Sequence, residues 1–356
     1  MYAINCWWRG NEVLLRWKSN EFVLRWIRNE RLLRNAYALF LGQVVSFLVA
    51  FSSFFTSSVI DLGVNVPLTQ SFFAYLCLVL VFGTIRLGRR QNIRVSWIWY
   101  LFLGFVDVQG NYLVKKAYQY SSATSVTLLD CWTIPWAMIF TWIVLGTRYS
   151  IRQFFGAALC VAGLASVFLS DAGAGGGGGS KPILGDTLVV AGTLFLAMSN
   201  VGEEFCVKKK DSVEVVAMIG AFGLLVSACE IYIMEFETLK SIKWSPDIIL
   251  GLAGHVLSTF LFYTLVPFLL KLSGATMLSL SLLTSDLWAV VIRVYFYHQK
   301  VDWLYYLSFA TITIGLIIYS KDEGSSNISV FEDQNLNAQY QELNEGSAGC
   351  KNETSS

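Results

Sequence analysis

Residues 36–60 read AYALFLGQVVSFLVAFSSFFTSSVI, twenty-five consecutive positions without a charged side chain. About 20 apolar residues carry a helix across the hydrocarbon core of a bilayer, so this stretch is a membrane span. The same signal recurs along the chain. Runs bounded by charges, Gly and Pro fall at 67–85, 96–114, 122–145, 153–170, 184–205, 213–235, 247–270, 274–297 and 302–320. A barrel would show alternating segments of ~10 residues instead. The sequence therefore predicts an all-α membrane protein with about ten transmembrane helices.

Composition agrees. Of 356 residues, 55% are hydrophobic and 14% charged, against about 25% charged in ordinary soluble domains. That excludes a soluble enzyme. Lys and Arg total 26 against 25 acidic residues, a balance without the basic footprint of a nucleic-acid binder. The seven cysteines form no CxxC pair and sit mostly in apolar runs, where a thiol packs as a small hydrophobe. With two histidines, His255 and His298, a His-based metal centre is not expected, and no GxxxxGK[ST] occurs to bind ATP. No cofactor is expected. The arginine-rich N-terminus lacks the compact apolar core of a signal peptide.

Basic residues set the orientation. Eighteen Lys and Arg flank the runs on the side of the N-terminus and six on the other, which places both termini in the cytosol. Residues 1–35 repeat Arg beside Trp and Leu, as in Leu15-Arg16-Trp17 and Leu24-Arg25-Trp26. They read either as a helix lying in the headgroup region or as a positive tail that sets topology. Residues 321–356 are polar and read as a disordered cytosolic tail, whose sequons at Asn327 and Asn352 should be silent there.

The stretch Gly173 to Ser180 is nearly pure glycine, a flexible linker within 171–183. It separates two sets of five spans, 36–170 and 184–320. The sets resemble each other: Ser122-Ala123-Thr124 and Gly274-Ala275-Thr276 are 152 apart, as are Gly163-Leu164 and Gly315-Leu316. Leu41-Gly42 near the start of span one also matches Leu184-Gly185 at the start of span six. Five spans is an odd number, so the two sets are inserted with opposite topology. Inverted repeats are characteristic of alternating-access transporters, with the solute site near the midplane between halves.

Four stretches carry a family resemblance: DVQGNYLVKKAYQY from Asp107, its continuation SSATSVTLLDCWTIP to Pro135, SNVGEE from Ser199, and SLLTSDL from Ser281. They resemble the F subgroup of solute carrier family 35, in the drug/metabolite transporter superfamily and related to nucleotide-sugar transporters. The resemblance spans roughly 36–320. It implies ten helices in an inverted five-plus-five repeat; members of the subgroup are linked to uptake of modified-nucleobase and nucleobase-like compounds, and the resemblance does not fix the substrate. The sequence departs from the pattern at Lys115 and at His255.

Charged groups at the bilayer centre are costly and usually face a cavity with a partner. In span three, Asp107, Asn111 and Lys115 fall at i, i+4 and i+8, one helical face, with Tyr118 continuing it. Lys116 points about 100° away; the resemblance implies that Lys116 is the functional cation, while the alternative is that both lysines snorkel to the surface. In span four, Asp130 lies five residues before Pro135, where a bend is expected, with Thr127 on the same side and Trp132 adjacent. Asp130 is a candidate for solute contact or proton transfer, or else the partner of Lys116. Span six ends with Asn200, Glu203 and Glu204 before three lysines. The carboxylates are candidates for proton coupling, or for pairing with lysines at i+4. Span nine carries Ser281 in its motif, and Ser279, Asp286 and Arg293 at seven-residue intervals. The Arg293 fork suits a carboxylate, phosphate or planar ring, or else locks onto Asp130 or Asp286. Trp132, Tyr263, Trp288 and Tyr295 offer rings for stacking.

The reading is a secondary transporter, not an enzyme, moving a small polar organic solute that is nucleobase- or nucleoside-like. The alternative is a Golgi or ER nucleotide-sugar antiporter. Expected partners are the solute and the lipid bilayer of the plasma membrane or an endomembrane; nucleic acid is excluded and a homodimer is left open.

Overall fold

The computed structural model describes residues 33–89, 97–121, 123–172, 182–209, 211–297 and 306–321. Among these residues every element is a helix: α1 Leu33–Asp61, α2 Pro67–Arg89, α3 Trp97–Ala117, α4 Ala123–Asp130, α5 Thr133–Leu145, α6 Ile151–Ala172, α7 Pro182–Lys209, α8 Ser212–Met234, α9 Phe236–Ser241, α10 Pro246–Leu282, α11 Thr284–Tyr297 and α12 Tyr306–Lys321. Five of them, α1, α2, α7, α8 and α10, are long and apolar enough to cross a membrane. Helix α3 is long but carries Asp107, Lys115 and Lys116, while α5, α12 and most of α6 are shorter apolar helices. The N-terminal Arg/Trp segment through residue 32, the glycine linker, His298 and both sequons lie outside the described residues.

Helix starts follow local chemistry. Ser245 accepts from the Ile248 amide at 3.3 Å, with Pro246 in the first turn of α10. Helix α2 begins with Pro67 but has no cap of its own. Glu235, at the end of α8, supplies one. Its carboxylate accepts from the Leu68 and Thr69 amides at 2.7 and 2.9 Å and from the Thr69 hydroxyl at 2.7 Å.

Two expected spans are interrupted. The run 122–145 breaks at Cys131–Trp132, between α4 and α5. Pro135 lacks the amide that would bond the Cys131 carbonyl, and the Thr133 hydroxyl fills the neighbouring Asp130 carbonyl at 2.7 Å. The run 274–297 breaks at Leu283, where the Thr284 hydroxyl bonds the Ser281 carbonyl at 2.7 Å. Residues 131 and 283 are 152 apart, the offset of the internal repeat. The expected gap between 270 and 274 narrows to one non-helical residue inside α10, Gly274 at φ 83 and ψ 177.

Within a bilayer, close packing of small residues holds helices together, and glycines mark the contacts. Gly110 and Gly192 bring α3 and α7 together: a Cβ on Gly110 would lie 2.9 Å from Leu196, and one on Gly192 2.7 Å from Val114. Helices α6 and α12 pack in opposite senses. Gly156 meets the Gly315 carbonyl, the Cys160 thiol reaches the Ile312 carbonyl at 3.5 Å, and Ser166 meets Ser308 at 3.0 Å. Ascending positions in α6 thus meet descending ones in α12.

A buried carboxylate held by four helices

Asp107 sits at the middle of α3, buried among α2, α7 and α10. Its Oδ2 accepts from the hydroxyls of Tyr75 (α2) and Tyr263 (α10), each at 2.6 Å, and its Oδ1 accepts from Ser199 (α7) at 3.1 Å. The tyrosine oxygens are 3.3 Å apart and their rings 5.7 Å apart. An isolated buried carboxylate would cost several kcal/mol; three donors converging on this one offset that cost. Elsewhere these tyrosines would be unfavourable too, since a phenol in an apolar run needs a partner.

Along the helices toward the face where α1 starts, one turn past Ser199, lies Glu203. It is buried and has no hydrogen-bond partner among the described residues. Glu204 points elsewhere: it accepts from the Ala275 amide at 2.7 Å and from Lys208 at 2.5 Å. It thereby caps the helical arm that resumes after Gly274, a structural task. A polar cleft lined by Glu204, Lys208, Ser273 and Thr276 opens on this face and does not reach Asp107.

Toward the opposite face, the Asn111 amide bonds back to the Asp107 carbonyl at 2.9 Å. Lys115 donates to Ser71 at 3.3 Å. His255 is buried, its Nδ1 2.8 Å from the Ser52 hydroxyl and 2.9 Å from that of Thr56.

The other candidates are scattered. Lys116 is half-buried without a polar partner among the described residues, so the lysine that faces the polar interior is Lys115. Tyr118 lies in the turn beyond the end of α3, exposed, and does not continue the Asp107 face. Thr127 is buried, its carbonyl 3.9 Å from the Cys131 thiol. Asp130 ends α4 with Oδ1 buried and without a hydrogen bond among the described residues. Asp286 lies in the first turn of α11, just past the second helix break, as Asp130 lies just before the first. Trp132 is exposed at the first break, its ring tilted against Trp136. Asn200 is half-buried and takes no part in the Asp107 cage. Ser281 packs against Gly42, where a Cβ would come 2.4 Å from its Oγ. Trp288 donates to Gln43 at 3.1 Å, away from Asp107, and Tyr295 is exposed. The side chain of Arg293 lies outside the described residues. Sequence reasoning missed Tyr75 and Ser199 as Asp107 partners; the signal for Tyr75 was a single phenol inside the run 67–85.

Comparisons with known proteins converge on one family. A family model described as Solute carrier family 35, of the SLC35F type, matches residues 32–321. The chain is 35% identical over 289 residues to solute carrier family 35 member F2 of Mus musculus, covering 78% of this chain and 77% of that protein. It is 34% identical over 315 residues to the Xenopus tropicalis member F2, covering 84% and 79%. A solved crystal structure, 17% identical, superposes with a TM-score of 0.64 over 80% of this chain and 96% of that one, a likeness of fold. The match over residues 32–321, the two relatives and the apolar helices together place this chain in solute carrier family 35, as a multi-pass membrane transporter.

Proposed function

We propose that the chain is a secondary transporter that moves a nucleobase- or nucleoside-like solute by alternating access between two inverted five-helix halves, 36–170 and 184–320. The observation that carries this is the Asp107 cage: α2 and α3 come from the first half, α7 and α10 from the second, and the carboxylate lies midway along α3. Solute sites in such transporters lie near the midplane between repeats. A carboxylate flanked by two tyrosine rings suits a planar, donor-bearing ring, through hydrogen bonds and stacking. Support for the inverted repeat comes from the antiparallel α6–α12 contact and from helix breaks 152 residues apart. The test is uptake by liposomes containing the purified chain, offered labelled nucleobases, nucleosides and nucleotide sugars. Saturable uptake of the first two supports the reading; exchange of nucleotide sugars alone replaces it with the antiporter.

Coupling is assigned to Glu203, because Glu204 is occupied by Ala275 and Lys208 while Glu203 is buried without a hydrogen-bond partner among the described residues. Glu203→Gln keeps the shape and removes the exchangeable proton. Uptake by this variant is expected to lose the pH dependence of the parent protein, with solute binding retained. A profile unchanged from the parent protein, with Glu204→Gln altering it instead, reverses the assignment.

Asp130 and Arg293 are assigned to opposite halves of one access-state contact, with Asp130 buried in part and lacking a hydrogen bond at Oδ1 among the described residues. Asp130→Asn is expected to lower transport more than binding, and adding Arg293→Gln should recover part of the loss. Strict additivity of the two defects would transfer the pairing to Asp286. Both termini are assigned to the cytosol on the basic asymmetry; terminal tags should be reachable only after permeabilisation.

A further inference from the structure

Two helical turns from Asp107, toward the face opposite the start of α1, four helices bring together a second polar cluster that the cage does not use. Lys115 from α3 donates to Ser71 of α2 at 3.3 Å, the one hydrogen bond its ammonium makes among the described residues. Gln70, next to Ser71, is buried; its Oε1 accepts from Thr56 of α1 at 3.2 Å, and its side-chain nitrogen donates to nothing among the described residues. His255 of α10 is held by Ser52 and Thr56. Lys115 is within electrostatic range of His255, Asp107 and Glu235.

The charge pattern shows what this cluster lacks. An ammonium offers three donors and no acceptor, and a cation inside a membrane span is normally matched by a close acceptor. Neither nearby carboxylate serves. Asp107 is taken up by Tyr75, Tyr263 and Ser199, and Glu235 by the start of α2. Lys115 is left with one long bond to a hydroxyl. Gln70, next to Ser71, carries an amide nitrogen without a hydrogen bond among the described residues, and Thr56 joins its oxygen to the imidazole of His255. The cluster therefore has donors to spare, whereas the hydroxyls around Asp107 already converge on one carboxylate and would have to turn to a solute ring for it to be held there. Position 115 is eight residues beyond 107 on the same face of α3, a rise of about 12 Å, and the Lys115 side chain shortens the gap.

The geometry points to a second solute subsite at Lys115, Gln70 and His255, which binds an acceptor-rich arm of the solute (sugar-type hydroxyls or a carboxylate) while the ring occupies the Asp107 cage. This rests on the transport reading above and narrows it. The preferred cargo is a ring that carries a polar or anionic arm, and a bare ring or one with a cationic arm is disfavoured. Lys116, without a polar partner among the described residues, plays no part.

The test uses the purified full-length chain and four probes with one ring: adenine, adenosine, the 5′-carboxylic acid of adenosine, and 5′-amino-5′-deoxyadenosine. Affinities are read from ligand-induced shifts in melting temperature, and uptake is measured in liposomes. Adenosine or its acid should bind at least about tenfold tighter than adenine, and the amine no tighter than adenine; one such factor is the yield of a single good polar contact. Preference for adenosine over the acid identifies hydroxyls as the arm, and the reverse identifies a carboxylate. Lys115→Met should bring the arm-to-ring affinity ratio close to one, and Lys115→Arg should keep most of it. Should Lys115→Met fold poorly, Gln70→Leu is expected to reduce the same ratio. Equal affinities for all four probes, or a Lys115→Met loss of the same factor for adenine and adenosine, overturns the subsite. Uptake that persists with equal affinities leaves the transporter reading standing while the subsite falls. Absence of both binding and uptake for every probe removes the proposed cargo class and the subsite with it.

Discussion

Asp107→Asn is expected to lower the initial rate of uptake by about 100-fold or more. Hydrogen bonds to a charged group contribute about 1.5–3 kcal/mol each. The tyrosine hydroxyls of both halves donate to one oxygen of this carboxylate at 2.6 Å, and Ser199 donates to the other. An asparagine has the same outline but one acceptor oxygen in place of two, and its amide nitrogen would face a hydroxyl that now donates. Loss of two such bonds amounts to about 3 kcal/mol, or two powers of ten. Tyr75→Phe and Tyr263→Phe should each have a smaller effect. Their combination should cost less than the sum, because the two phenols share Oδ2 and lie 3.3 Å apart. Uptake rates in liposomes, with melting curves to confirm folding, decide this. A folded Asp107→Asn protein that transports at the parent rate would show that the cage is a structural tie and not the solute site.

Gly274→Ala is expected to lower the melting temperature by more than about 6 °C, taking roughly 3 kcal/mol and the shift of about 2 °C per kcal/mol usual for larger domains. Two independent causes combine. Gly274 has φ 83 and ψ 177, a region that belongs almost entirely to glycine and costs other residues about 1–3 kcal/mol. A Cβ there would also lie 2.6 Å from Glu204 Oε1, the carboxylate that caps the following helical arm through the Ala275 amide. Adding Glu204→Ala to Gly274→Ala should relieve the overlap while leaving the backbone strain and removing the cap, so the double variant stays well below the parent. A single variant that melts within a degree of the parent would mean that the break at residue 274 relaxes into regular helix.

The helical architecture was legible in the sequence because the bilayer demands apolar segments of a set length. The run 36–60 falls within helix Leu33–Asp61 and the run 213–235 nearly coincides with Ser212–Met234. Asp107 was legible for the same reason: a carboxylate in the middle of such a run is expensive and so stands out. Its partners were not. Tyr75 is 32 positions away, Ser199 92 and Tyr263 156, and no local spacing rule joins residues on four different helices. Periodicity placed Asn111 and Lys115 on the face of Asp107, but whether Lys115 or Lys116 faces the polar interior depends on which surface of α3 meets α2, and Ser71 decides that for Lys115. In the same way, adjacent Glu203 and Glu204 differ by about 100° around α7. Chain order cannot say which one finds the exposed amide of Ala275. That selection is made by tertiary packing, because the amide is bared only where α10 breaks at Gly274, 70 residues further along the chain.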